Sequence, residues 1–423
     1  MSPTSIEPLA DRIEADVMAL ASMRDPDRPG WSRQVFSEPY RASRAWVRER
    51  MREVGLEVTQ DGAGNIVGVL PGSSPGAPPL VTGSHTDTVD GGGRFDGMVG
   101  VLGALELVRC LQESNTRLTR DLIVVDFLGE ESNDWGLSCL GSRSLAGELT
   151  TDHLRRTDTS GTALGDRYHQ FGISPEQAMS ADWFRRNRPH AYVELHIEQG
   201  PLLENTSAQI GVVTAIAGIQ RLLATFTGRS DHAGTRPMDD RADAMVAAAQ
   251  AVLDVQRTGC GAPTHGVATT TSLTTGSVSP NVVPAAVEMK TEVRSIDASW
   301  LSLAQEQLVR DIAAHAQREG VDVEFEWTND NEIVQTSTTV QDSIARVAAA
   351  AGHSWQAVPS GATHDAVHMA RLAPMGMIFV PSRDGRSHCP EEWTDFSDVI
   401  AGVQVLGSTL LDLDRATETS VSP

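Results

Sequence analysis

The sequence predicts a two-domain α/β protein: a mixed, mostly parallel sheet forms the larger domain, and a ferredoxin-like α+β domain is inserted into it. Three observations lead to this prediction. The chain has 423 residues, which is too long for one small core. Short apolar runs typical of strands alternate with helical patterns through most of the chain. Between about residues 210 and 329 the order changes to β-α-β-β-α-β.

The larger domain is predicted from five short apolar runs that are typical of buried strands. They are NIVGVL (65–70), PLVTGSH (79–85), DLIVVDFLGEE (121–131), AYVELHIEQG (191–200) and MGMIFVPS (375–382). Two longer runs have helical spacing, DGMVGVLGALELVRCLQES (96–114) and DFSDVIAGVQVLGSTLLDL (395–413). We expect this domain to comprise residues 1–209 and 330–423.

The inserted domain, residues 210–329, has its own element pattern. The strand-pair region IGVVTAIAGIQRLLATFTG precedes the alanine-rich helix DDRADAMVAAAQAVLDVQR. The strands GVATTTSLTTG and AAVEMKTEVRS follow, then the helix WLSLAQEQLVRDIAAHAQREG and the strand VDVEFEWT. Because an inserted domain is joined by two chain crossings, we expect hinge motion.

Composition narrows the class of protein. The net charge of -22 argues against nucleic acid or an anionic membrane as a partner, since both would be repelled. The four cysteines are far apart and form no CxxC pair, which argues against a disulfide framework or a thiolate zinc site. The N-terminus lacks the segments of a signal peptide, and no apolar run reaches the ~18 to 20 residues that span a bilayer. We expect a soluble, cytoplasmic protein.

Acidic and imidazole side chains recur at or just beyond the predicted strand ends, where open α/β sheets collect their ligands. They are His85, Asp87, Asp96, Glu130, Glu131, His196 and His388. Histidine and carboxylate ligands suit a pair of divalent cations such as Zn, Mn, Co or Ni. The sequence therefore predicts a two-metal site.

The expected metal ligands differ in their roles. Asp96 is reached through the glycine-rich stretch GSHTDTVDGGGRFDG and can place one oxygen on each of two metals ~3.5 to 4 Å apart. His85 and Glu131 are expected to complete the ligand set of one metal. His196 and His388 are divided between the two metals, and the sequence does not say which metal takes which histidine.

Two further acidic residues have supporting roles in this prediction. Asp87, two residues after His85, is expected to hydrogen-bond that imidazole and fix its tautomer. Glu130 suits a general base that acts on metal-bound water. Each motif alone has a plainer interpretation: a solvated turn for HxD, a surface pair for EE, and a core histidine for His196. Their joint position at strand ends favours the metal site.

Seven motifs carry a resemblance to a known family. They are GSHTDTVDGGGRFDGMVGV, GEES…GSR, HIEQGPLLE, DHAGTRPMDDRADA, PNVVPAAVEMKTEVRS, SGATHDA and SHCPEE. Together they resemble the M20-type dinuclear amidohydrolases from about residue 40 to 412. The branch they resemble most is the N-carbamoyl-L-amino acid amidohydrolases, with β-ureidopropionase and allantoate amidohydrolase as siblings.

The resemblance implies the same metal ligands, with Asp96 bridging and Glu130 as the base. It implies that the inserted domain is a lid and a dimerisation surface, so we expect a homodimer. It also implies substrate contacts, which match here at Gln199, His232, Asn281, Arg294 and His364. Physical chemistry agrees, because Arg294 offers a bidentate fork for a substrate carboxylate and His232 can stabilise an oxyanion. Without the family pattern, the favoured interpretation of Arg294 is a surface arginine paired with Glu292 or Glu288.

The expected reaction is hydrolysis of the ureido bond of N-carbamoyl-L-amino acids to the free amino acid, ammonia and carbon dioxide. A water between the two cations, deprotonated by Glu130, attacks the carbonyl carbon, and Glu130 returns the proton to the departing amine. Alternatives are allantoate amidohydrolase, an M20 aminopeptidase, and a catalytically silent metal-binding scaffold. After Glu131 the chain departs from the family pattern, so Asn133, Asp134 or Trp135 can alter side-chain preference.

Overall fold

The computed structural model describes residues 6–186, 188–276 and 279–415, and the chain divides into two compact units. Unit 1 comprises the described residues up to Thr214, Thr336–Val358 and the residues from His364 onward; unit 2 comprises Ala215–Gln335 and Pro359–Thr363. The predicted domain limits at 210 and 329 stay a prediction, and the predicted larger domain extends at both termini beyond the described residues.

The described residues contain thirteen strands. They are β1 (Glu57–Gln60), β2 (Ile66–Leu70), β3 (Leu80–His85), β4 (Leu122–Phe127), β5 (Ala191–Ile197), β6 (Ile210–Ile216), β7 (Gly218–Thr227), β8 (Val267–Thr275), β9 (Ala286–Ser295), β10 (Asp322–Asn331), β11 (Val334–Gln335), β12 (Trp355–Ser360) and β13 (Met375–Val380).

The α-helices of the described residues number fourteen. They are α1 (Ala10–Ser22), α2 (Glu38–Glu53), α3 (Met98–Glu113), α4 (Leu140–Ala146), α5 (Thr151–Arg155), α6 (Leu164–Gln170), α7 (Pro175–Met179), α8 (Trp183–Arg186), α9 (Leu202–Thr206), α10 (Ala244–Cys260), α11 (Ala298–Arg318), α12 (Thr338–Ala350), α13 (Ala366–Met369) and α14 (Phe396–Arg415). Short 3-10 helices lie at Met238–Asp240 and Arg383–Gly385.

The sheet of unit 1 runs in the order β1-β2-β4-β3-β5-β13-β6, with β12 also beside β6. Its four central strands, β4, β3, β5 and β13, are parallel neighbours, and the outer strands pair antiparallel. All residues of the central strands are buried, as expected for parallel strands covered on both faces. The predicted α/β class with a mixed, mostly parallel sheet is confirmed.

The register of these strands brings their carboxyl ends to one edge. His85, the last residue of β3, lies opposite Phe127, the last residue of β4. His196 on β5 lies opposite Phe379 on β13. The segments that follow the four strands therefore begin side by side, which is the position where open α/β sheets bind ligands.

Helices α3 and α14 bury apolar side chains in the core of unit 1, among them Leu102, Leu105, Val403 and Leu406. Among the described residues α14 alone has the length and composition of a membrane span, with a hydropathy of 1.3. Because 61% of that stretch is buried inside the protein, α14 is a core helix by its packing.

Unit 2 is built on a four-stranded antiparallel sheet in the order β10-β7-β9-β8. Helices α10 and α11 contribute Ala247, Ala251, Leu308 and Ile312 to its core. Exposed and buried residues alternate along the first half of β9, as in a sheet with one covered face. The predicted β-α-β-β-α-β order is confirmed, and the strand order is that of a ferredoxin-like domain.

Candidate metal centre

The carboxylate of Asp96 is the middle of the candidate site. Its Oδ1 lies 3.1 Å from His196 Nε2 and 3.7 Å from His85 Nε2. Its Oδ2 lies 3.1 Å from His388 Nε2 and accepts a hydrogen bond from Gln199 Nε2 at 2.8 Å. The two oxygens of Asp96 therefore face two different sets of donors, an arrangement suited to a carboxylate shared by two cations.

Four donor side chains of the centre are buried, including Glu131, and one histidine is half exposed. The side chains of His85, Asp96 and His196 are 5% exposed or less, whereas that of His388 is 48% exposed. Burial alone would lower the pKa of His388, but the neighbouring carboxylates of Asp96 and Glu131 raise it to about 11. His388 is thus the open side of the centre, and a cation bound there would displace its proton.

The two buried histidines are oriented by backbone carbonyl groups. His85 Nδ1 lies 3.1 Å from the carbonyl oxygen of Asp87, and His196 Nδ1 lies 2.9 Å from that of Ile197. When each Nδ1 carries the proton and donates it to the carbonyl, each Nε2 keeps a lone pair, and that of His196 accepts a long hydrogen bond from the Gly97 amide at 3.3 Å. Both Nε2 atoms lie within 3.7 Å of Asp96 Oδ1, so both are available to a cation beside that oxygen.

Two donor groups that could each hold a cation emerge from these contacts. One consists of His85, Asp96 and His196, and the other of Asp96, Glu131 and His388. The predicted pairing of His85 with Glu131 on one metal is wrong in this geometry, because these two residues lie on opposite sides of Asp96. The structure also divides the histidines: His196 joins His85, and His388 joins Glu131.

Buried acceptor atoms without hydrogen-bond partners mark the same place. Glu131 Oε1 is buried, lies 3.4 Å from His388 Nε2 and makes no hydrogen bond of normal geometry. Gln199 Oε1 is likewise buried without a hydrogen-bond partner. Buried acceptors of this kind are costly unless a further group satisfies them. The donors present therefore fit divalent cations of the Zn, Mn or Co type.

A third donor group, Glu194, His196 and His364, is completely buried. Ser84 Oγ and Tyr192 OH donate to the two Glu194 oxygens at 2.7 and 2.8 Å, so this carboxylate is already satisfied. The His364 ring meets the His196 ring edge-on with centroids 4.5 Å apart. Burial and the nearby His196 hold the pKa of His364 well below its usual range. His364 is therefore a neutral neighbour of the centre.

Glu130 lies beside the first donor group without being part of it. Its Oε2 is 3.7 Å from His85 Nε2, and its Oε1 accepts a hydrogen bond from the thiol of Cys139 at 3.6 Å. Burial raises the pKa of Glu130 well above its usual range, and the neighbouring carboxylates of Glu131 and Asp365 act in the same direction. A carboxyl group with a raised pKa can both take and return a proton near neutral pH.

The contacts of Asp87 differ from those predicted. Its carboxylate accepts hydrogen bonds from the amides of Glu130 and Glu131 at 3.1 and 3.0 Å. The distance from Asp87 Oδ1 to His85 Nδ1 is 3.6 Å, which is too long for a hydrogen bond. His85 is oriented instead by the hydrogen bond that its Nδ1 donates to the Asp87 carbonyl oxygen. Asp87 therefore positions the backbone of the glutamate pair.

The glycine-rich loop before Asp96 is held by a residue near the other end of the chain. Glu392 Oε1 accepts hydrogen bonds from the amides of Phe95 and Asp96 at 2.8 and 3.1 Å, and Ser387 Oγ donates to Glu392 Oε2 at 2.7 Å. A Cβ at Gly93 would lie 2.1 Å from the Glu392 carboxyl group, so a side chain there would prevent this contact. The loop needs glycine for close approach to Glu392.

The predicted substrate-contact residues fall in both units. In unit 1, Gln199 and His364 lie at the centre, as described above. In unit 2, His232 pairs with Val282 and the Ala233 amide donates to the Asn281 carbonyl at 2.9 Å, so the two predicted loops are adjacent. The Gly234 amide donates to His232 Nδ1 at 3.0 Å, which leaves the proton of the neutral ring on Nε2.

Arg294 makes the contact expected of a strand arginine. Its Nε donates to the Glu292 carboxylate, and its Nη1 donates to the Gly361 carbonyl at 2.8 Å. The side chain is 26% exposed. A guanidinium has five N–H donors, so this pairing leaves others for a ligand.

Sequence reasoning missed several residues that support the centre. They are Cys139, Ser142, Glu194, Asp365, Ser387 and Glu392. Glu392 had a signal, because it follows His388 in the motif SHCPEE. Cys139 had none: its thiol contacts Glu130 nine residues earlier, from a left-handed backbone conformation with φ 57°.

The chain is similar to known proteins along most of its length. The model of Peptidase family M20/M25/M40 matches residues 72–412. The chain is 35% identical to an N-carbamoyl-L-amino-acid amidohydrolase of Paenarthrobacter aurescens, over 96% of this chain and 98% of that protein. It is 34% identical to a ureidoglycolate hydrolase of Oryza sativa subsp. japonica, over 96% and 84%. A crystal structure of a hydantoinase/carbamoylase family amidase from Burkholderia multivorans matches with a TM-score of 0.86 at 31% identity, covering 97% and 99%.

Gly97→Ala tests the centre without removing a donor atom. Gly97 has φ 66°, and a Cβ there would lie 2.4 Å from His85 Nε2, so alanine must displace the imidazole. We expect affinity for Mn²⁺ or Zn²⁺ to fall about tenfold or more, as when other supports of metal ligands are removed. The measurement is a metal titration of the folded variant.

The matched control for this variant is Gly76→Ala. Gly76 also has positive φ, at 83°, but a Cβ added there would meet no atom within 4 Å. It carries the same kind of backbone strain without the clash, so its metal affinity should equal that of the parent protein. Equal affinity in Gly97→Ala and Gly76→Ala would contradict the assignment of His85 to a metal.

Proposed function

Because this chain belongs to Peptidase family M20/M25/M40 and resembles its hydantoinase/carbamoylase amidases along nearly its whole length, we propose that it hydrolyses N-carbamoyl-L-amino acids. As a family member related to amidohydrolases it is a hydrolase of C–N bonds other than peptide bonds. The proposed products are the free L-amino acid, ammonia and carbon dioxide. The observation that carries the proposal is the Asp96 carboxylate between two donor groups, with the buried Glu130 beside them.

The metal centre is part of the proposal. His85, His196 and one oxygen of Asp96 would hold one divalent cation; Glu131, His388 and the other oxygen of Asp96 would hold a second. Cations in such a site polarise a carbonyl group and lower the pKa of a coordinated water. Zn, Mn, Co and Ni all accept these ligands, so the donor set alone does not select among them.

Glu130 is the proposed proton carrier. Its Oε1 is held by Cys139, which leaves Oε2 directed towards His85 and the donor groups. Glu130 takes the proton from the attacking water as the new C–O bond forms at the ureido carbon. It then gives this proton to the departing amine as the C–N bond breaks. The carbamate that remains decomposes to ammonia and carbon dioxide.

The proposed substrate contacts complete the mechanism. His232 is suited to donate from Nε2 to the oxyanion that develops at the carbonyl oxygen, because Nδ1 accepts from Gly234. Gln199 Oε1, a buried acceptor without a partner, suits a ureido N–H group. Arg294 and Asn281 are proposed to bind the substrate carboxylate. Arg294 would use the N–H groups that remain beside its bonds to Glu292 and Gly361.

A second candidate is hydrolysis of a ureido acid of the ureidoglycolate or allantoate type. The specific observation in its favour is that identity to the rice ureidoglycolate hydrolase, 34%, nearly equals that to the carbamoyl amidohydrolase, 35%. These substrates also carry a carboxylate and a ureido group, so the same donor groups and base would serve. Only contacts with the part of the substrate beyond the ureido group can distinguish N-carbamoyl amino acids from ureidoglycolate or allantoate.

We also keep two predictions about assembly and location. Unit 2 is proposed to serve as a lid and as the surface through which two chains form a homodimer, by analogy with the family. The enzyme is proposed to act in the cytoplasm on a small ureido substrate. Sedimentation of the purified chain tests the dimer, which a monomer at micromolar concentration would contradict.

Ammonia release from a substrate panel tests the proposed function. The panel contains N-carbamoyl-L-amino acids, their D-enantiomers, ureidoglycolate, allantoate and dipeptides, each with Mn²⁺, Co²⁺ or Zn²⁺ and with a chelator. We expect metal-dependent turnover confined to the N-carbamoyl-L series. Turnover of ureidoglycolate or allantoate alone would favour the second candidate, and turnover unaffected by chelation would contradict the metal centre.

Glu130→Gln separates the base from the ligands. The amide keeps the size of the side chain but cannot take a proton, so we expect kcat to fall by about 10² to 10⁴ with metal content unchanged. Glu131→Gln is the matched comparison one residue away and is expected to lose bound metal. Steady-state kinetics and metal analysis check both. If Glu130→Gln loses as much metal as Glu131→Gln, Glu130 is a ligand and the proposed role is wrong.

Arg294→Ala tests carboxylate binding. Loss of a charged hydrogen bond worth about 1.5 to 3 kcal/mol should lower kcat/KM roughly 10- to 150-fold while metal content stays the same. Arg221→Ala is the control, because Arg221 also pairs with Glu292, at 3.4 Å, and is 49% exposed. Equal effects of the two substitutions would mean that Arg294 serves the sheet of unit 2 and not the substrate.

A further inference from the structure

A cleft of about 200 Å³ in unit 1 adjoins the candidate metal centre. The loop that directly follows Glu131 forms one side of it, and the segment that precedes α2 forms another. Its lining includes Phe36, Asp87, Glu131, Asp134, Trp135 and Arg167. Asp87 and Glu131 belong to both the cleft and the centre, so a molecule held at the centre can extend a group into the cleft.

The apolar wall of the cleft is aromatic. The rings of Phe36 and Trp135 meet edge-on with centroids 5.7 Å apart, and Phe36 also contacts Tyr168 and Phe171 at 5.5 and 5.3 Å. Trp135 is 7% exposed, and its Nε1 donates to the Thr162 carbonyl at 2.9 Å. These contacts hold both rings in place, so the wall presents fixed aromatic surfaces.

Phe36 occupies an unusual backbone conformation for its type. Its φ is 65°, in the left-handed region that large side chains rarely adopt. Such conformations persist only where the surroundings enforce them, and they cluster at ligand sites. The contacts with Trp135, Tyr168 and Phe171 supply that enforcement, and the result is a phenylalanine ring at the cleft instead of a turn residue such as glycine or asparagine.

The charges around the cleft favour a neutral ligand group. Asp87, Glu131 and Asp134 all line it, and their carboxylates would repel an anionic side chain. The one cationic lining residue, Arg167, already lies 3.5 Å from the Asp158 carboxylate and 5.9 Å from the Trp135 ring. A cationic ligand group would therefore compete with Arg167 for the face of Trp135.

We propose that this cleft binds the side chain of the substrate and selects large, neutral, aromatic side chains. The inference rests on the proposed function and adds to it the class of amino acid that is released. The rings of Phe36 and Trp135 supply the contact surface, and the ring of the substrate replaces water against them. Trp135 and Phe36 are thus specificity-determining residues.

The experiment compares kcat/KM for N-carbamoyl-L-phenylalanine with that for N-carbamoyl-L-alanine, using the metal-loaded full chain. N-Carbamoyl-L-aspartate and N-carbamoyl-L-arginine complete the set. We expect phenylalanine to exceed alanine by about tenfold or more, the discrimination that an apolar pocket gives. We expect kcat/KM for both charged substrates to be lower than that for N-carbamoyl-L-phenylalanine. A preference for aspartate or arginine over phenylalanine would overturn the inference.

Two variants test the residues. Trp135→Leu and Phe36→Leu keep an apolar surface but remove one aromatic ring each, so each should lower the phenylalanine-to-alanine ratio at least about fivefold. Trp355→Leu, which changes an exposed tryptophan elsewhere in unit 1, is the control and should leave the ratio unchanged. Circular dichroism and metal content show whether each variant is folded. An unchanged ratio in both folded variants would overturn the inference.

Product inhibition supplies a readout that needs no variant. L-Phenylalanine should inhibit the parent enzyme at least about tenfold more strongly than L-alanine, because the free amino acid keeps the side chain that the cleft binds. Equal inhibition would contradict the inference. If no member of the N-carbamoyl series is hydrolysed, alanine included, the proposed function itself is wrong and this inference is wrong with it; hydrolysis with no aromatic preference overturns this inference alone.

Discussion

The position of one carboxylate decides the arrangement of the whole centre. Asp96 lies 3.1 Å from both His196 and His388, one contact through each oxygen, and it also accepts from Gln199. A displacement of this side chain would open both donor groups at once. Three features of the fold fix Asp96 or the residues that face it. They are the parallel strands, the glycine-rich loop and the contact of that loop with Glu392.

The centre also concentrates buried acidic groups beyond what its histidines can balance. Burial raises the pKa values of Glu130, Glu194, Asp365 and Glu392, since each would be charged in a medium that solvates charge poorly. Buried charges destabilise a fold unless they are paired, and divalent cations are the strongest available partners for carboxylates.

Much of the fold and of the candidate site could be predicted from the sequence, because the limits of apolar runs indicate where strands end. His85 and His196 follow from that rule, as does the α/β class. The grouping of the donors could not be predicted, since the side of Asp96 that Glu131 faces depends on the backbone path through the loops. Contacts distant in sequence were missed for the same reason: Glu392 meets the Phe95 amide across 297 residues.

That long-range contact has a consequence for the newly made chain. A nascent polypeptide exposes His85, Asp96 and His196 long before His388 and Glu392 leave the ribosome, because all of unit 2 is synthesised in between. Until then the glycine-rich loop lacks its anchor and one donor group is incomplete. The centre can therefore mature only after Glu392 has been synthesised, and a chain that ended between β13 and His388 would contain every strand of the sheet yet lack one donor histidine and the anchor of the loop.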